Sequence, residues 1–135
     1  MPERVLLDTD VFSYLLDNRP EAEAFRPLLR GRTHCLSFIS LGELYYGAHK
    51  GQWGEARFQK LRSAISDTVC IPYDDQMPEC YGRILAECER MGQAIRIHDA
   101  WIAVTAIVCA VPLMTNNLKH YRQVNGLRLE HPNLT

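Results

Sequence analysis

The sequence has little of what would set it apart from ordinary globular chains. It has no excess of either charge: 15 Lys and Arg stand against 16 Asp and Glu, for a net charge of −1. That excludes coating of nucleic acid by bulk positive charge, as histones and ribosomal proteins do, but leaves room for a local basic rim. Five cysteines are present, at 35, 70, 80, 88 and 109; the number is odd and none has C-x-x-C spacing. Neither a disulfide framework nor a zinc knuckle is expected, and the thiols read as reduced and mostly buried in a cytoplasmic protein. The apolar run after Met1-Pro2-Glu3-Arg4 ends at Asp8, too soon for the core of a signal peptide. One stretch, Ala100 to Leu118, lacks charge altogether. It nears bilayer-spanning length, yet Asp99 opens it, Pro112 interrupts it and Thr115-Asn116-Asn117 ends it. A buried helix followed by a buried strand fits better, and no membrane association is expected. There is no internal repeat, low-complexity segment or long linker.

What is there is one domain's worth of chain. The 135 residues are 47% hydrophobic and 23% charged, which suits a single domain over 1–135 with an ordinary core. Val5-Leu6-Leu7 reads as a central strand. A helix capped by Thr9 or Asp10 follows to about Leu16, and a second runs from Glu21 to Leu29. Cys35 to Ile39 reads as a buried strand. Ser40 then opens a helix from Leu41 to about His49, with Leu41, Leu44, Tyr45 and Ala48 on one face. Phe58, Leu61, Arg62 and Ile65 carry a further helical pattern, and Val69-Cys70-Ile71 is a third strand. Asp74-Asp75 and Pro78 start a long helix to about Met91, closed by Gly92. Asp99 sits at the start of the apolar helix to Ala110. Val111 to Met114 is a fourth strand, and Leu127 to Glu130 a fifth at an edge. Short apolar strands alternating with helices predict an α/β fold with a mostly parallel sheet of four or five strands flanked by helices. Ligands of such sheets bind at the carboxyl ends of the strands.

Several polar groups share that kind of position. Asp8 ends the first strand, Glu43 lies near the start of the helix after the second, and Asn116 and Asn117 follow the fourth. Asp99 joins them if its helix starts on the same side. Three carboxylates about 5 Å apart repel by roughly 3 kcal/mol per pair at an effective dielectric of ~20. The total rivals the stability of a domain, so the cluster must take up protons or bind a cation. Carboxylate and carboxamide oxygens without His or Cys suit Mg²⁺ or Mn²⁺, and a hard ion with open positions suits phosphodiester hydrolysis. Each residue also has a plainer reading. Asp8 can cap the next helix. Ser40-Leu41-Gly42-Glu43 is the S-x-x-E pattern of a capping box. Asp99 suits a helix N-terminus, and Asn116-Asn117 is a turn signal.

Together the motifs resemble the PIN-domain ribonucleases, and in length the VapC-type toxins among them. Val5-Leu6-Leu7-Asp8-Thr9-Asp10-Val11-Phe12 resembles the family's opening. Leu36-Ser37 through Ser40-Leu41-Gly42-Glu43-Leu44, with Gly47, resembles its second acidic motif. Asp99-Ala100-Trp101-Ile102-Ala103 resembles the third, and Leu113-Met114-Thr115-Asn116-Asn117 with Tyr121 the fourth. The resemblance implies a PIN-like α/β/α sandwich and a Mg²⁺- or Mn²⁺-dependent endoribonuclease of a type II toxin–antitoxin pair. It implies Asp8, Glu43 and Asp99 as the acidic core, with Asn117 (or the adjacent Asn116) in the fourth position and Thr115 as a hydroxyl beside it. It also implies an RNA substrate, a homodimer and an antitoxin partner that covers the site. Asp10 stands where the family usually has Asn, and His98 where Asn is frequent.

A substrate phosphate approaching an acidic site calls for nearby cations, and Arg96, Lys119, His120 and Arg122 flank the third and fourth motifs. His34, His49 and His131 have no partner pattern. Tyr14, Phe25, Tyr45 and Tyr46 lie on the early helices. Tyr45 and Tyr46 are adjacent and cannot both face one side, so an exposed aromatic is expected there, in a groove for an antitoxin's apolar segment. Two other readings stand beside this one. The D-x-D-x-V opening at Asp8 also resembles haloacid-dehalogenase-like phosphatases, although no well-placed Lys motif accompanies it. A non-catalytic RNA- or protein-binding module with the same fold is the other.

Overall fold

Val5, Leu6 and Leu7 are fully buried, which only a strand covered on both faces can achieve. They belong to β1 (Arg4–Leu7), the centre of a five-stranded sheet with strand order β3-β2-β1-β4-β5. The partners are β2 (Thr33–Ser37), β3 (Val69–Ile71), β4 (Leu113–Met114) and β5 (Leu129–Glu130), and every pairing is parallel. The computed structural model describes residues 2–134. The helices are α1 (Thr9–Leu16), α2 (Ala22–Leu29), α3 (Phe38–Lys50), α4 (Glu55–Ser66), α5 (Met77–Arg90), α6 (Ile97–Val108) and α7 (Leu118–Tyr121).

Strand periodicity sorts the core into two layers. Leu6, Cys35 and Leu113 face one layer, with Met77, Ile84 and Cys88 of α5, Ile102, Ala103 and Ala106 of α6, and Tyr121 of α7. Val5, Leu7, Leu36 and Met114 face the other, with Val11 and Phe12 of α1, Phe25 and Leu29 of α2, Leu44 and Ala48 of α3, and Leu61 of α4. The result is the α/β/α sandwich expected. The uncharged stretch is accounted for by α6, whose residues from Asp99 to Ala106 are buried except Trp101. Among the described residues no helix is long and apolar enough to cross a membrane.

Three expectations need correction. The second strand runs Thr33–Ser37 rather than Cys35–Ile39, and α3 begins at Phe38 rather than Leu41. The cap is Ser37, whose side chain accepts a hydrogen bond from Ser40 N at 3.1 Å. Phe38 and Ile39 favour strands intrinsically, and the cap overrides them. The thiols are also less buried than expected. Cys35 and Cys88 are buried, Cys80 and Cys109 half-buried and Cys70 exposed, all five free; Cys70 is exposed because β3 is an edge strand. The short α7 was not anticipated.

Candidate active site

Parallel strands put their carboxyl ends on one edge, and the acidic residues gather there. Asp8 follows β1 and caps α1. Its Oδ1 accepts from Thr9 N at 2.9 Å and its Oδ2 from the Thr115 hydroxyl at 2.8 Å. Only 6% of it is exposed. Burial pushes its carboxyl from an ordinary 3.8 up to about 6; the bonds from Thr115 and Thr9 oppose this, and the charges of Asp99 and Asp10 add to it.

Asp99 lies in the first turn of α6, where the helix dipole favours a negative charge. It is also buried. Its Oδ1 accepts from the Tyr121 hydroxyl at 3.2 Å. Among the described residues its Oδ2, which is buried, has no hydrogen-bond partner, although His120 Nδ1 stands 3.4 Å and Arg96 Nε 3.6 Å away.

Glu43 is not a capping residue. Because α3 starts at Phe38, Glu43 lies in its second turn and its carboxylate is free to face the cleft. Oε1 accepts from Thr9 Oγ1 at 2.7 Å, and Oε2 lies 3.4 Å from His98 Nδ1. Thr9 Oγ1 is also 2.9 Å from Ser40 Oγ, which is 3.4 Å from Ser37 Oγ. A hydroxyl carries one proton and a carboxylate only accepts. Thr9 therefore donates to Glu43 and receives from Ser40, so the cap of α3 is linked to the orientation of Glu43.

Asn117 and Asn116 part company. Asn117 lines the cleft, its Nδ2 donating to Asp10 Oδ2 at 3.1 Å. Asn116 turns to the Tyr14 hydroxyl, with its Nδ2 3.2 Å away. The cleft encloses about 300 Å³ and is lined by Asp8, Thr9, Asp10, Glu43, Arg96, Asp99, Asn117 and His120. Of the four cations expected beside it, Arg96 and His120 line it, whereas Lys119 and Arg122 are exposed and outside the lining. Thr115, expected to touch substrate, is fully buried, and its oxygen is engaged by Asp8 and by Asn117 N at 3.0 Å. It stands behind the cleft as a brace. The Tyr121 hydroxyl, Thr9 and His98 were not singled out as site groups. Tyr121 and Thr9 fall inside the quoted motifs, but sequence alone could not show where their hydroxyls point.

The donor set suits a hard divalent ion. Most ligand atoms on offer are carboxylate or carboxamide oxygens, from Asp8, Asp10, Glu43, Asp99 and Asn117, with His120 the one imidazole at the lining. The unpartnered Asp99 Oδ2 and the unfavourably buried Asp8 charge are what a cation would relieve. Among the described residues no three His, Cys, Asp or Glu side chains approach closely enough to cage an ion by themselves.

Beside the cleft, and sharing Thr9 and Glu43 with it, lies an apolar groove of about 620 Å³ walled by Phe38, Ile39, Gly42, Tyr46 and His98. Tyr46 is 65% exposed, while Tyr45 packs half-buried against the core. Phe25, expected in such a groove, is instead a core residue.

Residues 5–126 match the PIN domain family. The chain is 30% identical to the ribonuclease VapC2 of Haemophilus influenzae over 95% of its length and 97% of that protein's. It is 32% identical to the tRNA(fMet)-specific endonuclease VapC of Salmonella typhimurium, over 94% and 96% respectively. Its fold superposes on the crystal structure of DNA-bound VapBC from Salmonella typhimurium with a TM-score of 0.83 at 33% identity, covering 98% of this chain and 99% of that one. These likenesses set aside the phosphatase reading of the D-x-D-x-V opening.

Proposed function

The chain belongs to the PIN-domain family, and on that footing we propose that it is a VapC-type ribonuclease toxin, a Mg²⁺- or Mn²⁺-dependent endoribonuclease. The observation that carries this is the gathering of Asp8, Glu43, Asp99 and Asn117 around one cleft, with the Asp99 Oδ2 oxygen left unpartnered. Asp8 and Asp99 would hold the ion, with Glu43 and Asn117 completing the set. When bound, the ion supplies positive charge to the phosphate and makes water a better nucleophile near neutral pH. The chain's own groups do the rest. Thr9 keeps the Glu43 carboxylate turned toward the cleft. Arg96 and His120, at its lining, steady the non-bridging oxygens of the scissile phosphate. Their contacts with Asp99 hold them there in the absence of substrate. Lys119 and Arg122, outside the lining, guide the flanking RNA backbone by charge.

The partners follow from the same reading. Relatives of this chain are ribonucleases, and a structure of similar fold from Mycobacterium tuberculosis belongs to the VapBC family of toxin–antitoxin systems. An antitoxin's apolar segment would fill the groove at Phe38 and Tyr46 and, through the shared Thr9 and Glu43, close the cleft. The toxin is read as a cytoplasmic homodimer.

The test is cleavage of RNA by purified, antitoxin-free protein with Mn²⁺, with Mg²⁺ and with EDTA, beside Asp8→Ala and Asp99→Ala. Metal-dependent cutting that both folded variants lose by at least about a hundredfold is expected. Cutting retained by either would overturn the assignment.

A further inference from the structure

Tyr121 is the largest fully buried side chain of the molecule, and its one polar atom reaches the acidic site. A buried phenol must find a partner. This one faces the Asp8–Asp99 pair and donates to Asp99 Oδ1 at 3.2 Å. We propose that Tyr121 is a positioning residue for the metal site: its hydroxyl fixes the Asp99 carboxylate so that Oδ2, the oxygen without a partner, is presented to the ion. The inference rests on the metal-dependent reading above.

Three features of the site support it. The terminal torsion of an Asp side chain is broad and roughly two-fold, so a carboxylate anchored at neither oxygen has no fixed direction. At Asp8 both oxygens are anchored, by Thr9 N and by Thr115. Among the described residues the only hydrogen bond to the Asp99 carboxylate comes from Tyr121; His120 and Arg96 lie at ion-pair distance from Oδ2 without bonding to it. Removing one hydroxyl therefore takes away the hydrogen bond that fixes Oδ1 and leaves Asp99 with only the longer ion-pair contacts of His120 and Arg96.

The donor is also neutral. A phenol is uncharged at neutral pH and carries one proton to donate. A Lys or Arg in its place would anchor Asp99 equally well but would cancel the negative charge that draws the metal. A phenol orients the carboxylate and leaves that charge available.

Finally, the hydroxyl arrives from a third element. Asp8 follows β1, Asp99 lies in the first turn of α6, and Tyr121 ends the single turn α7 that follows Asn117. The turn thus places Asn117 on the lining of the cleft and, four residues later, the phenol behind it.

The test is Tyr121→Phe, which removes the hydroxyl and keeps the buried ring. Mn²⁺ is titrated into antitoxin-free protein and free ion is followed by electron paramagnetic resonance. The expected result is a Kd for Mn²⁺ raised about tenfold or more in protein with an unchanged circular dichroism spectrum. Cleavage should recover as Mn²⁺ is raised, while the KM for RNA stays as in the parent. A Kd within about twofold of the parent would overturn the proposal. If the parent itself binds no Mn²⁺, the metal-dependent reading fails first, and the two failures are told apart. A second measurement needs no variant. In the parent protein the Tyr121 hydroxyl proton should exchange slowly and its resonance should move when Mg²⁺ is added; a proton in fast exchange, or one insensitive to Mg²⁺, would count against the clamp.

Discussion

At the scale of single residues, Asp8 is held in a costly state. Its carboxyl in the folded protein sits near 6, above the ordinary 3.8. The sign follows directly: the folded state binds the proton more tightly than the unfolded one. Asp8 therefore favours folding fully below roughly pH 4, and that contribution is lost as pH rises through about 6. Over that window the metal-free protein should lose up to about 3 kcal/mol of stability from this group. Asp8→Asn should remove most of that loss. Urea unfolding at about pH 5 and pH 7.5 checks it: the variant is expected to be the more stable protein at the higher pH, with a flatter profile, and a destabilised variant there would contradict it. Saturating Mg²⁺ should stabilise the parent more than the variant. Asp8 was legible in the sequence as a strand-end carboxylate. Its burial was not, because that depends on Thr115 and α6, both remote in the chain.

At the scale of elements, sequence patterns located most helices and strands and misplaced one junction that matters. The β2–α3 boundary was read three residues late, because Phe38 and Ile39 look like strand and Ser40 looks like a cap. The actual cap, Ser37, is fully buried and is recognisable only once Ser40 N is seen to point at it. The shift had a chemical consequence, since the S-x-x-E reading would have used Glu43 on a backbone amide. A second junction carries a testable strain. Ala110, just after α6, has φ 55°, a left-handed conformation that costs a residue with a Cβ about 1–2 kcal/mol. Part of that returns as unfolded-state entropy when glycine is introduced. Ala110→Gly is therefore expected to stabilise the protein by about 0.5–1 kcal/mol, read as a higher urea midpoint with an unchanged slope. A lower midpoint would show that the turn is not strained.

At the scale of the whole molecule, the alternation of apolar strands with helices was enough to predict a parallel sheet and to put the chemistry on its carboxyl edge. The distant ties across the fold were not legible. Arg32, just before β2, sends both terminal nitrogens to Glu130 of β5, at 2.7 and 3.0 Å, across 98 residues of sequence. Its side chain is only 13% exposed, so the pair is shielded from solvent more than an ordinary surface bridge. Arg32→Ala leaves Glu130 half-buried without that partner. It should cost about 1–3 kcal/mol and speed amide exchange at β5 ahead of β1. An unchanged denaturant midpoint would show that the pair contributes little.

The carboxyl edge also has a consequence in time. Its lining is drawn from positions 8, 43, 99 and 117, and the phenol behind it from 121. A ribosome making this chain has released most of it before those groups can meet. Every nascent form that stops short of position 120 holds the early acids without the whole lining, so the site assembles only after the last of its residues is made.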